Sequence, residues 1–279
     1  MIQIYPITEP IHEVNLNDYL PKPITYMNSG GYGDLIYSLA VLPYLGKGEY
    51  KLAMNNLADC ARSYGYDVSE RTMGKMHREY FQQKHYDFLA PLLEVQPFIT
   101  KVSQWHKGDE PVTYNLDDFR GTLFKRFEGN YLEAFFITHN IPYTQEMVHG
   151  TNWLTVPNPI RVAETIIART TRYRSPTGNK THAEYATVNG FDKKAVFIGT
   201  DEEHQDYEKV TGLKIKRYVV KDALEYAQVI AGADRLVSNQ TFAFSLAMGL
   251  GECAFLEVQQ TKPLEFNECY FARKNCYYF

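Results

Sequence analysis

Ile24-Thr25-Tyr26-Met27-Asn28, followed at once by Ser29-Gly30-Gly31-Tyr32-Gly33-Asp34, is the stretch on which the reading of this chain turns. The first five residues form a β-type run. The glycines after them open a turn, and Leu35, Ile36, Leu39 and Leu42 then fall on one face at helical spacing. Gly46 and Gly48 stop that helix, and Tyr50-Lys51-Leu52-Ala53-Met54 reads as a second strand. Strand, glycine-rich loop, helix and strand together open a βαβ unit, which implies a parallel sheet with helices over its faces.

Working outward, residues 76–93 have a helical pattern, Ile99–Trp105 reads as a strand, residues 114–119 as another, and residues 129–140 as a helix ending before Ile141-Pro142. Val156-Pro157-Asn158-Pro159 has the composition of a linker, because two prolines in four residues break either regular structure. The boundary placed there divides the chain into residues 1–156 and 157–279. Beyond it, residues 163–168, 195–198, 215–220 and 236–238 are strand candidates. Residues 223–231 and 242–250 carry apolar groups at helical spacing, the latter directly after Asn239-Gln240-Thr241. The second part is therefore also α/β, and no solenoid repeat or low-complexity segment is visible.

Bulk properties agree with two globular domains. The 279 residues exceed the usual size of one domain, and 44% hydrophobic with 22% charged residues is a globular balance. A net charge of −4 supplies no general field for a polyanion. Cys60, Cys253, Cys269 and Cys276 form no C-x-x-C pair, and His77, His85, His106 and His139 sit on separate segments, so no metal site is expected. The cysteines read as reduced thiols. The opening MIQIYPITEPIHEV lacks the apolar core of a signal peptide, and no apolar run has membrane-spanning length. A cytoplasmic protein without an integral membrane segment is expected. The aromatic tail, residues 269–279, reads as packing.

The loop at Gly31 and Gly33 is suited to an anion, because glycine lets the backbone approach closely and the following helix start offers N–H groups and a positive dipole end. Gly31-Tyr32-Gly33-Asp34-Leu35-Ile36 lacks the third glycine of a dinucleotide fingerprint, and the second strand is followed by Asn55-Asn56 rather than an acid. No Gly-Lys-Ser/Thr ending is present, which excludes a P-loop. Asp34 stands in the first turn of the helix, at the carboxyl end of the sheet. Two readings fit it: a general base aimed into the crevice, or an acid that complements the helix dipole.

Residues 33–43, Gly-Asp-Leu-Ile-Tyr-Ser-Leu-Ala-Val-Leu-Pro, resemble the opening motif of the heptosyltransferase-like group, glycosyltransferase family 9. Residues 224–251, LEYAQVIAGADRLVSNQTFAFSLAMGLG, are similar to that family's C-terminal motif, a helix and strand followed by an Asn-Asp-Ser/Thr-Gly loop and a second helix. Weaker matches lie at residues 129–142 and at Gly199-Thr200-Asp201-Glu202-Glu203, so the resemblance spans roughly residues 24–256.

The resemblance implies an α/β, GT-B architecture: two Rossmann-like domains with parallel sheets facing a cleft, the acceptor held mainly by the first and a nucleotide-sugar donor mainly by the second. It implies metal-independent, inverting sugar transfer with Asp34 as base, a nucleotide-sugar as co-substrate and no further cofactor. Arg169, Arg172, Arg174 and Lys180 are candidates to grip the donor diphosphate, since no acid lies between Thr165 and Thr181; a solvated basic loop is the other reading. Gly31, Gly33, Glu203, Asn239, Gln240 and Thr241 complete the expected donor contacts, Glu202 or Glu203 towards a ribose unless they form an exposed acidic turn. The acceptor class is a glycan, a lipid-linked glycan or a modified nucleobase. The chain departs from the family pattern at Gln240, Phe242 and Ser245, where an aspartate, a glycine and a histidine are usual. A nucleotide-sugar epimerase and a non-catalytic nucleotide or sugar binder on the same scaffold are the alternatives.

Overall fold

The structure is a computed structural model that describes residues 23–29, 31–54, 81–106, 108–123, 129–174, 178–188, 190, 192–258 and 267–279. Gly30, Asn55-Asn56, Cys60, His77 and residues 76–80 of the expected helix lie outside the described residues.

The opening run forms β1 (Ile24–Asn28), and the helix after it is α1 (Tyr32–Ser38), continued through a 3-10 turn into α2 (Leu42–Leu45). Next come β2 (Gly48–Ala53), α3 (Gln83–Glu94) and β3 (Ile99–Trp105). Then follow β4 (Tyr114–Asn115), α4 (Phe119–Leu123), α5 (Tyr131–Thr138) and α6 (Gln145–His149). All pairings in this four-stranded sheet are parallel, in the order β3-β2-β1-β4. Every residue from Leu35 to Leu42 is buried, so this helical stretch is covered on all sides, with α5 and the later helix Phe242–Leu250 packed against α1, rather than along one apolar face.

The second sheet has six strands, again all parallel, formed by β5 (Thr165–Ala168), β6 (Ala195–Phe197), β7 (Lys216–Arg217), β8 (Arg235–Ser238), β9 (Ala254–Leu256) and β10 (Cys276–Tyr278), in the order β10-β9-β8-β5-β6-β7. Its helices are α7 (Gly178–Val188), α8 (Asp201–Thr211), α9 (Ala223–Ala231) and α10 (Phe242–Leu250). Central β5 is buried at every residue, the continuous apolar pattern of a strand covered on both faces.

Several elements differ from the sequence expectation. Only Tyr114 and Asn115 of residues 114–119 are strand, because the Asn115 side chain accepts the Asp117 N–H at 3.2 Å and starts a 3-10 turn that runs into α4. Residues 215–220 contribute only Lys216–Arg217 to the sheet. The acid-rich stretch after Gly199 is helical: Thr200 and Glu203 form a reciprocal capping box, and Gly212 in the left-handed region (φ 72°) closes α8. The strands β9 and β10 were not anticipated. Among the described residues no helix is long and apolar enough to cross a membrane.

The two sheets share one continuous core. α1 packs on α10, and a side chain added at Gly33 would make an ordinary van der Waals contact, 3.7 Å, with the Ser245 hydroxyl. Trp153 donates its indole N–H to the Ile36 carbonyl at 2.9 Å. The stretch before β10 reaches the first sheet's helices: the Glu268 carbonyl accepts the Tyr131 N–H at 2.9 Å, and Phe271 is buried against Tyr37, Trp153 and Phe244.

Candidate active site

In an open parallel sheet, ligands bind outside the carboxyl ends of the strands where the strand order reverses. In the first sheet the chain leaves β1 towards β2 and β3 and then returns to β4 on the other flank, so the reversal lies between β1 and β4. The residues that meet there are Ser29 and Asp34 on one side and Asp117 and Arg120 on the other. They are stitched together. Asp117 accepts hydrogen bonds from the Ser29 N–H at 2.8 Å and the Ser29 hydroxyl at 2.5 Å, and Arg120 pairs with the Asp34 carboxylate. Asp117 is wholly buried. Burial pushes its carboxyl up, against the pull of Arg120 and of the two Ser29 hydrogen bonds. Asp34 keeps 15% of its side chain exposed, enough to meet a ligand in the crevice.

The same logic applied to the second sheet puts the reversal between β5 and β8. There, Asn239 is fully buried and spans the crevice: its Oδ1 accepts the Thr170 N–H at 3.1 Å, and its Nδ2 donates to the carbonyls of Thr170 at 3.2 Å and Arg172 at 2.6 Å. Both amide hydrogens and one lone pair of the amide oxygen are spent on shaping the loop after β5. The two crevices are neighbours. Tyr32 opens α1 and Phe242 opens α10, and their rings meet edge-on at 5.4 Å, which sets the two helix starts side by side.

The four basic residues expected at the diphosphate fare differently. Arg169 is buried and bidentate to Glu257, with Nε to Oε2 at 2.7 Å and Nη2 to Oε1 at 2.9 Å, and its third arm reaches Asn179 Oδ1 at 2.8 Å. Arg174 pairs with Asp206 and reaches the Thr170 carbonyl at 3.1 Å. Lys180 is exposed on α7, 3.5 Å from Glu184. Arg172 is exposed, and among the described residues its guanidinium meets no carboxylate; it lies 5.5 Å from the centre of the Tyr173 ring. The basic loop is thus mostly neutralised by acids that follow it in the sequence, beyond the window in which none occurs.

Gly31 precedes α1 in extended backbone, where its carbonyl accepts the Leu35 N–H at 3.0 Å. Gly33 lies within the first turn of α1, facing Ser245 of α10, rather than in an open loop. Glu203 serves the α8 cap, accepting the Thr200 N–H at 3.0 Å, and Glu202 is exposed beside it. Thr241 starts α10, its hydroxyl 2.9 Å from that of Ser238.

The three departures from the family pattern share a physical account. Gln240 donates to Asn267 Oδ1 at 3.2 Å, which anchors the tail. Phe242 enters an aromatic cluster of the first sheet's helices, edge-on to Tyr32 at 5.4 Å and tilted against Phe88 at 6.1 Å, and also meets Tyr226 at 5.5 Å. Ser245 donates to the Phe242 carbonyl at 2.8 Å and abuts Gly33. Phe242 bridges the two halves, Ser245 lies against α1, and Gln240 holds the tail. Among the described residues no group of three or more His, Cys, Asp or Glu side chains is arranged to hold a metal ion. Asp117 and Arg120 escaped the sequence reading, since residues 114–119 scan as a strand and only the Asn115-Leu116-Asp117-Asp118 cap signals a turn.

No protein-family model matches the chain, and no curated protein matches it. Among solved structures, the glycosyl transferase family 9 protein of Veillonella parvula DSM 2008 superposes with a TM-score of 0.53 at 12% identity, over 93% of this chain and 86% of its own. E. coli ADP-heptose lps heptosyltransferase II gives 0.48 at 10% identity over 92% and 90%. E. coli heptosyltransferase WaaC with ADP-2-deoxy-2-fluoro heptose gives 0.44 at 15% over 92% and 92%. The likeness to the Veillonella protein, over nearly the whole of both chains, establishes the fold: an α/β chain with two parallel sheets in the GT-B arrangement.

Proposed function

We propose that the protein is a glycosyltransferase that moves a sugar from a nucleotide-diphosphate donor to an acceptor hydroxyl, inverting the anomeric centre without a metal ion. The observation that carries this reading is the place of Asp34: a partly exposed carboxylate at the reversal point of the first sheet, beside the reversal point of the second. The fold shared with the Veillonella protein and the motif resemblance at residues 33–43 and 224–251 support it.

In this mechanism Asp34 takes the proton of the acceptor hydroxyl as that oxygen attacks the anomeric carbon. The bond from the anomeric carbon to the diphosphate breaks, and the electron pair leaves with the diphosphate. Its growing charge is met by the N–H groups at the start of α10 and by Arg172. The Arg120 pair fixes the direction in which Asp34 points. The acceptor is a glycan, a lipid-linked glycan or a modified nucleobase, and the cytoplasm is the proposed site of the reaction.

A second reading, a non-catalytic nucleotide or sugar binder, is favoured by the commitment of Gln240, Phe242 and Ser245 to packing. Asp34→Asn separates the two. Under glycosyl transfer, the variant loses roughly 10²–10⁴-fold in rate while donor affinity, read by calorimetry, is retained. Transfer at the wild-type rate would remove Asp34 from the role of base. Donor binding without transfer in the wild type, across a panel of saccharide acceptors, would favour the binder.

A further inference from the structure

Two linked halves open and close a cleft when a few residues of the connector are free to absorb changes in φ and ψ. Here the connector from Thr151 to Ile160 is tied along its length, and to both halves. The N–H groups of Trp153 and Leu154 both donate to the Gly249 carbonyl of α10 at 3.0 Å, while the Trp153 indole bonds the Ile36 carbonyl of α1. Gln96, just after α3, grips Thr155 from the first half: its Nε2 donates to the Thr155 carbonyl at 3.0 Å and its Oε1 accepts the Thr155 N–H at 3.2 Å. Gln228 of α9 holds the next stretch from the second half. Its side chain donates to the Pro157 carbonyl at 2.8 Å, and its backbone carbonyl accepts the Ile160 N–H at 2.9 Å.

The tail closes over this connector. Each nitrogen of Arg273 donates to a backbone carbonyl, and each carbonyl belongs to a different part of the chain. Nε takes His149 at the end of α6, Nη1 takes Met248 of α10 at 2.7 Å, and Nη2 takes Thr151 of the connector at 2.7 Å. The guanidinium also lies 5.5 Å from the centre of the Trp153 ring and 5.6 Å from that of Phe271, within cation–π reach of both. On either side of it, the Ala272 N–H reaches His149 Nδ1 at 3.3 Å and Asn275 donates to the Gly251 carbonyl at 2.8 Å. A planar fork set on three segments fixes their mutual positions, and rotation of either half would break several of these bonds together. We propose that the tail is a clasp, keyed by Arg273, that holds the two halves in one mutual orientation, so that the cleft between Asp34 and the start of α10 is set before any ligand arrives. The clasp does not depend on which ligand the cleft takes, and it stands apart from the glycosyl-transfer reading.

Pulsed electron–electron resonance on the full chain tests the clasp, with spin labels at Lys101→Cys on β3 and Lys209→Cys on α8, exposed positions in the first and second halves. Cys60→Ser and Cys253→Ser leave only the labelled thiols and the buried Cys269 and Cys276. With Arg273 in place, one narrow distance distribution is expected. Arg273→Ala should at least double its width. Arg273→Lys keeps the charge but has no planar fork to span three carbonyls, so its width should fall between the two. Far-ultraviolet circular dichroism that matches the parent shows that the broadening is a movement of folded halves. A broad or two-peaked distribution with Arg273 in place would overturn the clasp, whatever the variants do. Distributions in both variants as narrow as that of the parent would overturn it as well.

Discussion

Arg169 and Glu257 face each other in full burial, with two hydrogen bonds of 2.7 and 2.9 Å that tie the end of β5 to the end of β9 across β8. The contact depends on Gly178, where an added Cβ would stand 1.7 Å from Glu257 Oε1. Removing one partner leaves an uncompensated buried charge, so Glu257→Gln should cost about 3–5 kcal/mol in denaturant unfolding. The double variant Arg169→Met, Glu257→Leu should recover most of that loss, because an apolar pair carries no desolvation cost. An unchanged midpoint in Glu257→Gln would show that the pair is dispensable.

His182 joins the same cluster, with its Nε2 at 3.0 Å from Glu257 Oε2, and its response to acid has a definite sign. Burial holds its pKa below the ordinary 6.5, outweighing the hydrogen bond it donates to Glu257, which pulls the other way. The unfolded chain therefore binds the proton more readily, and stability falls as the pH drops below about 6.5. Burial pushes Glu257 up, yet His182 and Arg169 hold it at about 2, so its contribution is present above 4.5 and is lost as the pH falls towards 2. A two-stage loss on acidification follows. His182→Gln should remove the first stage and keep the second, read as unfolding midpoints at pH 7.5, 5.5 and 3.5; a variant that tracks the wild type at every pH would contradict this.

What the sequence reveals here is what depends on local period. Residues 24–45 disclose β1 and α1 because a half-buried strand alternates and the glycine-rich turn after it opens a long apolar run, buried from Leu35 to Leu42, and Ala223–Ala231 and Phe242–Leu250 match the expected helices residue for residue. β10 is three residues long and stabilised by pairing with β9, a partner set by the tertiary fold, so nothing local announces it. The site divides in the same way. Asp34 is legible because a loop and a helix start carry it, whereas Arg120 is 86 residues away and is brought to Asp34 only by the return of β4 to the flank of β1. Arg169 looks like an unneutralised cation in the sequence because Glu257 is 88 residues distant.

Arg120 stands between two carboxylates, paired with Asp34 and attracting the buried Asp117. Arg120→Ala brings those acids together without a counter-charge, and the loss of a charged hydrogen bond costs roughly 1.5–3 kcal/mol at neutral pH. Burial already raises the Asp117 pKa above 3.8, so this group favours the folded state at low pH and opposes it as the pH rises through its folded value. The deficit of Arg120→Ala should therefore shrink on acidification, the reverse of the His182 effect. A deficit that is constant from pH 7.5 to pH 4 would rule out the electrostatic account.

Phe242 bears on whether the two halves unfold as one. Its ring meets Tyr32 and Phe88 of the first half and Tyr226 of the second, in a core that continues through Leu35, Ile36, Phe244 and Phe271. Linked domains move or melt independently when their interface is small and polar, and cooperatively when it is large and apolar. The wild type should accordingly give a single calorimetric transition. Phe242 is only partly buried, so Phe242→Ala should cost less than the roughly 3–5 kcal/mol of a fully buried Phe→Ala change. It should also lower the midpoint for the whole molecule rather than for one half. Phe242→Leu should restore part of the apolar area but not the edge-on ring contacts, each worth about 0.5–1.5 kcal/mol. Two resolved transitions in the wild type would mean that the seam at Gly33 and Ser245 does not couple the sheets, and the packing role assigned to Phe242 would then have to be given up.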